Sequence, residues 1–166
     1  IPEYTANKIK RPKIVEKQVE CFSLSEQKAI EKKVLESKKP KLKGIIICLY
    51  TGLRIGELLA LTWDDIDFQK ASLSVTKTCH DGYVDGKRCV IVDTPKTETS
   101  RRVIPLSKSI IDILKTMKKE KSCNCVISEK GKPVFLRSYQ RTFELLLKRL
   151  GIAHKGFHAI RHTFAT

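Results

Sequence analysis

No stretch of this chain approaches the roughly 20 consecutive apolar residues that a membrane-spanning helix needs. The longest apolar run, Ile45 to Tyr50, suits a buried helix. The opening residues Ile1-Pro2-Glu3-Tyr4 lack the basic and apolar regions of a signal peptide. There is no initiator methionine, and the last residues fall inside a patterned segment, so we expect a piece of a longer chain. Internal repeats and low-complexity tracts are absent. Acidic residues are scarce: 18 Asp and Glu stand against 33 Lys and Arg, a formal net charge of +15. That imbalance favours a polyanionic partner, with DNA, RNA and an anionic membrane surface all open on charge alone, as is a merely soluble basic protein.

Cysteine is present, but not in a metal-binding pattern. Cys123-x-Cys125 is tighter than usual zinc spacings, and no second Cys pair completes a site. No metal is therefore expected. Without a secretion signal the six cysteines read as reduced thiols of a cytosolic protein. The 166 residues, 41% of them hydrophobic, are enough for one folded domain.

Residues 1–22, lysine-rich with two prolines, read as a basic interdomain linker or arm. From residue 23 the pattern is mainly helical. Ser23 or Ser25 caps a helix with Glu26 in its first turn, running to about Ser37. Pro40 resets the chain, a second helix covers Leu42 to about Tyr50, Thr51-Gly52 breaks it, and Ile55–Leu61 is helical again. Alternation then predicts strands over 71–76, 89–92 and 101–105, with Asp81-Gly82 and Asp85-Gly86 in the turn region between the first two. Ser107 caps a helix that closes at Lys118–Lys121, Arg137–Leu150 forms another with Gly151 as its stop, and a last helix opens near Gly156-Phe157. The expected fold is α+β and mainly α, a helical domain with a small three-stranded antiparallel sheet at one edge.

Two segments carry chemistry: Thr51-Gly52-Leu53-Arg54-Ile55-Gly56-Glu57-Leu58 and Phe157-His158-Ala159-Ile160-Arg161-His162-Thr163. Arg54 follows a glycine break among apolar residues, where an arginine is costly unless paired or holding an anion. Glu57, three residues on, shares its helix face, and His158 and Arg161 have the same spacing. Two arginine forks and a histidine form a phosphate clamp with a proton donor, although Arg54–Glu57 taken alone also fits a surface salt bridge. His154, His158 and His162 do not form a metal face, because Gly156 places His154 before the helix. His162 reads as a packed or hydrogen-bonded histidine and Trp63 as a core residue.

Arg54 in TGLRIGELLAL, Lys96 in TPKT followed by SRRVIPL, and HAIRHTFAT together resemble the tyrosine recombinases, or phage integrases. The phrasing is most similar to integrases of conjugative transposons and phages of Gram-positive bacteria, and it covers roughly residues 23–166. The resemblance implies a catalytic domain that cuts and rejoins DNA at specific sites through a 3′-phosphotyrosyl intermediate, integrating or excising a mobile element. It implies no metal or nucleotide cofactor, since the bond energy is kept in the covalent link. It also assigns roles. Arg54 and Arg161 hold the non-bridging phosphate oxygens, His158 assists proton transfer, Lys96 protonates the leaving 5′-oxygen, and Glu57 supports Arg54 or His158. Lys77, Lys87, Arg88, Arg101 and Arg102 are candidate phosphate contacts. The implied partners are double-stranded DNA, with the intact protein tetrameric on two duplexes, and an accessory excision factor, in the bacterial cytoplasm on the nucleoid and not at a membrane. One departure matters. The family's nucleophilic tyrosine follows the His-x-x-Arg helix, whereas Tyr4, Tyr50, Tyr83 and Tyr139 all precede it. Domain 23–166 is thus expected to be truncated before its nucleophile and inactive in cleavage alone, and a DNA-binding module without chemistry, or a degenerate integrase, is the alternative.

Overall fold

The computed structural model describes residues 20–94 and 101–165. Six helices and three small antiparallel sheets surround one hydrophobic core. Helix α1 (Leu24–Glu36) starts on a reciprocal cap in which Ser23 Oγ accepts from the Glu26 amide while the Glu26 carboxylate accepts from the Ser23 amide. A 3₁₀ turn at Pro40–Leu42 feeds α2 (Lys43–Thr51), which is buried almost throughout. Gly52, at φ +62°, ends α2, and α3 (Ile55–Ala60) begins three residues later. These two short helices bring Gly52, Arg54 and Glu57 to one corner of the domain.

The three-stranded sheet has the order β1 (Ile66–Asp67), β2 (Ser72–Val75), β5 (Arg102–Pro105), with Leu73 opposite Ile104 and Val75 opposite Arg102. The expected strand over 89–92 does not join it. It lies in β4 (Lys87–Asp93), paired with β3 (Thr78–Val84) as a separate hairpin turning at Asp85-Gly86, where both φ angles are positive. Asp81-Gly82, expected in the turn, sits inside β3.

Helix α4 (Lys108–Lys119) carries its N-cap on Ser107 and two lysines in its last turn. A short pair, β6 (Ser128–Glu129) with β7 (Lys132–Pro133), precedes α5 (Leu136–Arg149), which ends with Gly151 at φ +67°. Phe143 of α5 packs edge-on against Phe22 and Phe157. Phe22, the last residue of the expected arm, is therefore part of the core, and its amide donates to Thr163 Oγ1 at 2.9 Å. Helix α6 (His158–Ala165) packs on α2. Lys155, just before it, pairs with Glu26 at 2.7 Å, so the start of α1 anchors both flanks of α6. No helix among the described residues is long and apolar enough to cross a membrane. Trp63 is buried, as its reading as a core residue requires.

Candidate active site

Glu57 is the centre of the arrangement. It lies on α3, only 6% exposed, and a carboxylate so placed must be paired. Its Oε1 accepts from Arg54 Nη1 at 3.1 Å and from Arg102 Nη1 at 2.9 Å; its Oε2 accepts from the Arg54 backbone amide at 2.9 Å and from Arg102 Nη2 at 2.7 Å. Both oxygens are thus shared between the start of α3 and strand β5. Burial pushes the Glu57 carboxyl up, but the hydrogen bonds from Arg102 and the Arg54 amide, with the Arg102 charge, more than offset it and hold the group below the usual carboxylate range. The same bond to Glu57 raises Arg102.

The Arg54 side chain remains 55% exposed, so Glu57 fixes its base while the guanidinium still faces outward. Arg161, on α6, donates from Nη1 to the carbonyl of Gly52, two residues before Arg54. That bond ties α6 to the α2–α3 break. Gly52 also packs beneath Phe164 of α6, since a Cβ there would lie 2.5 Å from the ring. Thr51, Gly52, Arg102, Val103, Arg161 and Phe164 line one cavity of about 300 Å³. Another of the same volume, around Trp63 and Lys121, contains none of the candidate catalytic residues. His158 is exposed in the first turn of α6. Arg54 and Arg102 are therefore joined through Glu57, while Arg161 is bonded to the Gly52 carbonyl two residues before Arg54. The geometry suits an anion, with one exposed guanidinium, one half-buried guanidinium and a cavity beside them. Lys96 lies outside the described residues.

The expected phosphate contacts divide in two. Lys77 is engaged within the protein, by Asp65 at 2.8 Å and Thr62 Oγ1 at 2.9 Å. Arg88 pairs with Asp81 at 2.7 Å and stacks over Phe135 at 4.4 Å. Arg102 is spent on Glu57. These three have partners within the protein, whereas Lys87 and Arg101 stay exposed. Sequence reasoning missed the internal role of Arg102, although a signal was present. Alternation along β5 puts Arg102 on the half-buried face with Ile104 and turns Val103 outward, and an arginine on that face requires an acid. It also missed the Gly52 carbonyl, for which the sequence offers no signal beyond the helix break. Burial raises the Cys79 thiol to about 11 and pushes Cys48 up further. Among the described residues no group of His, Cys, Asp and Glu is arranged to hold a metal ion.

Comparison with known proteins adds a frame to this geometry. A sequence profile of the phage integrase family matches residues 20–166. Over 92% of its length the chain is 33% identical to a tyrosine recombinase XerC-like protein of Caldanaerobacter subterraneus subsp. tengcongensis, of which it covers 44%. Over 74% of its length it is 27% identical to the transposase from transposon Tn916 of Enterococcus faecalis, covering 34% of that protein. It spans less than half the length of both relatives. The integrase of transposon Tn1549, solved in complex with a circular intermediate DNA, superposes on 90% of the chain with a TM-score of 0.77 and 23% identity, the match covering 52% of that structure. At that identity the likeness is one of fold.

Proposed function

Because the chain belongs to the phage integrase family, we propose that it is the catalytic region of a site-specific DNA recombinase that integrates or excises a mobile element. In this reading residues 23–166, with Phe22 packed into their core, supply the site that holds the scissile phosphate, and the residues before Phe22 form an arm leading into it. A tyrosine oxygen forms a bond to phosphorus as the bond from phosphorus to the 5′-oxygen breaks. Lys96 gives its proton to that leaving oxygen, since an alkoxide leaves poorly. Arg54 and Arg161 hold the non-bridging oxygens while charge grows on them, Glu57 sets Arg54, and His158 assists proton transfer. The 5′-hydroxyl of a partner strand then attacks phosphorus and expels the tyrosine, so the phosphodiester is restored without external energy. The reading includes double-stranded DNA as substrate, a tetramer on two duplexes and an accessory excision factor. Lys87 and Arg101, exposed and cationic, are the better candidates for further phosphate contacts.

The observation that carries the proposal is the bond of Arg161 to the Gly52 carbonyl, two residues before Arg54, beside a cavity lined by Arg161 and Arg102. The nucleophile is a separate matter. Tyr139 is buried, its hydroxyl donating to the Lys41 carbonyl at 2.8 Å. The Tyr50 phenol is raised by its hydrogen bond to Glu31 and by burial. Tyr83 stands in β3, a strand and not the turn expected for it, and Tyr4 lies outside the described residues. All four precede the His-x-x-Arg segment, which the family's nucleophile follows, so in this reading the attacking oxygen belongs to a parent chain and the 166 residues alone form no covalent adduct. The test is a duplex nicked beside the scissile phosphate, which traps the adduct, followed by a denaturing gel. The parent should give a covalent band, and Arg54→Ala or Arg161→Ala should slow its appearance by about 10²–10³-fold. A band from the 166-residue chain would contradict the assignment of the nucleophile. Duplex binding by the parent with no band on its own recombination site would favour a binding module without chemistry.

A further inference from the structure

Arg102 contributes more than a structural ion pair. Its two terminal nitrogens grip the two oxygens of Glu57 at 2.9 and 2.7 Å, and the same oxygens receive Arg54. The backbone of Arg102 is held in the β2–β5 ladder opposite Val75, so the fork reaches Glu57 from a fixed base. Its side chain is 31% exposed, against 55% for Arg54, and it lines the cavity that also contains Arg161 and Gly52. Resting on the reading above, we infer that Arg102 is a positioning residue of the phosphate site, setting Arg54 through Glu57. With Arg102 removed, the buried carboxylate retains, among the described residues, only Arg54 as a cationic partner, and a carboxylate so placed draws that flexible guanidinium inward, away from the substrate. With both oxygens held by the rigid fork, the Arg54 contact is a single Nη1 bond, and the rest of its guanidinium is left for the phosphate. A lysine cannot substitute, because one ammonium does not grip both oxygens in the plane of the carboxylate. Glu57 is the shared element, and its depressed carboxyl pKa reflects the Arg102 bond opposing its burial.

The test measures single-turnover cleavage of the nicked duplex by the parent recombinase, alongside duplex affinity and thermal melting. Arg102→Ala should slow adduct formation by about tenfold to 10²-fold, the scale of a ~1 Å misplacement, while affinity for the same duplex is unchanged. Placed on top of Arg54→Ala, the same substitution should add no further slowing, since there is no Arg54 left to position. A purely structural role would not show that dependence, because a weakened fold slows both backgrounds alike. Arg102→Lys, which keeps the charge and most of the bulk, carries the same expectation if the alanine variant does not fold. Equal slowing in the Arg54→Ala background, an unchanged rate, or a loss of affinity that accounts for the whole defect would overturn the inference, the last making Arg102 a phosphate contact. No adduct from the unaltered parent would overturn the underlying reading and this inference with it.

Discussion

Gly52 bears two constraints at once. Its backbone is left-handed at φ +62°, and the Phe164 ring occupies the space a Cβ would need. The left-handed conformation alone costs a residue with a side chain about 1–2 kcal/mol. Its carbonyl, meanwhile, accepts from Arg161. Gly52→Ala should therefore lower stability by at least about 1 kcal/mol and slow cleavage in the parent by more than that loss explains, because α6 must shift to clear the methyl and carries Arg161 with it. Chemical denaturation with cleavage assayed well below the melting temperature separates the two effects. Unchanged cleavage in the folded variant would show that the seat of α6 on Gly52 does not set Arg161. At this scale the pairing of Arg54 with Glu57 was legible, because the spacing in TGLRIGEL sets a cap residue against the third residue of its helix, and so was the placement of His158 and Arg161 of HAIRH on one helix. The role of Arg102 was not legible, because its partner lies 45 positions away, a distance that no local period records.

The β3–β4 hairpin shows why one element was misread. Asp-Gly pairs signal turns, yet Asp81-Gly82 lies in mid-strand. Asp81 is there because its carboxylate accepts from the amides of Leu136 and Arg137 at 2.8 and 3.2 Å, capping α5 from another element, while Arg88 pairs with it. Gly82 leaves room for Ile91 of the facing strand. Tertiary contacts, not local conformation, select both residues. The helices, by contrast, were legible because their signals are local, from the Ser23–Glu26 box to Ser107 and Gly151. Asp81→Ala should destabilise the domain by about 1–2 kcal/mol, the range of a lost N-cap. Burial pushes the Asp81 carboxyl up, but the Arg88 bond and the two amides outweigh it and leave it depressed. A depressed acid stabilises the fold above its unfolded value, near pH 4, and that stability is lost as pH falls further. The difference in unfolding free energy between the unaltered chain and Asp81→Ala should thus be full at neutral pH and shrink below about pH 4. A difference that does not change with pH would show that the charge of Asp81 contributes nothing to the cap.

On the scale of the whole molecule, the proposed function gives the net charge of +15 and the Gly52 corner different steps. In that reading the charge would draw a duplex to the surface without choosing a position on it, an effect that falls with salt. Arg54 and Arg161 would then select one phosphodiester. Composition alone left DNA, RNA and membrane open; the order of motifs along the chain narrowed that choice, and the fold brings Arg161 of the last motif to the Gly52 carbonyl of the first. The claim at the centre is that Arg54 and Arg161 act on the same phosphate. Its most direct measurement is a crystal structure of the chain bound to a duplex carrying the parent's recombination site. The account predicts one phosphodiester with its non-bridging oxygens within hydrogen-bond distance of both guanidinium groups, next to the cavity lined by Gly52 and Arg102. A correctly folded domain that binds the duplex while Arg54 and Arg161 contact different phosphates, or face away from the DNA, would contradict it.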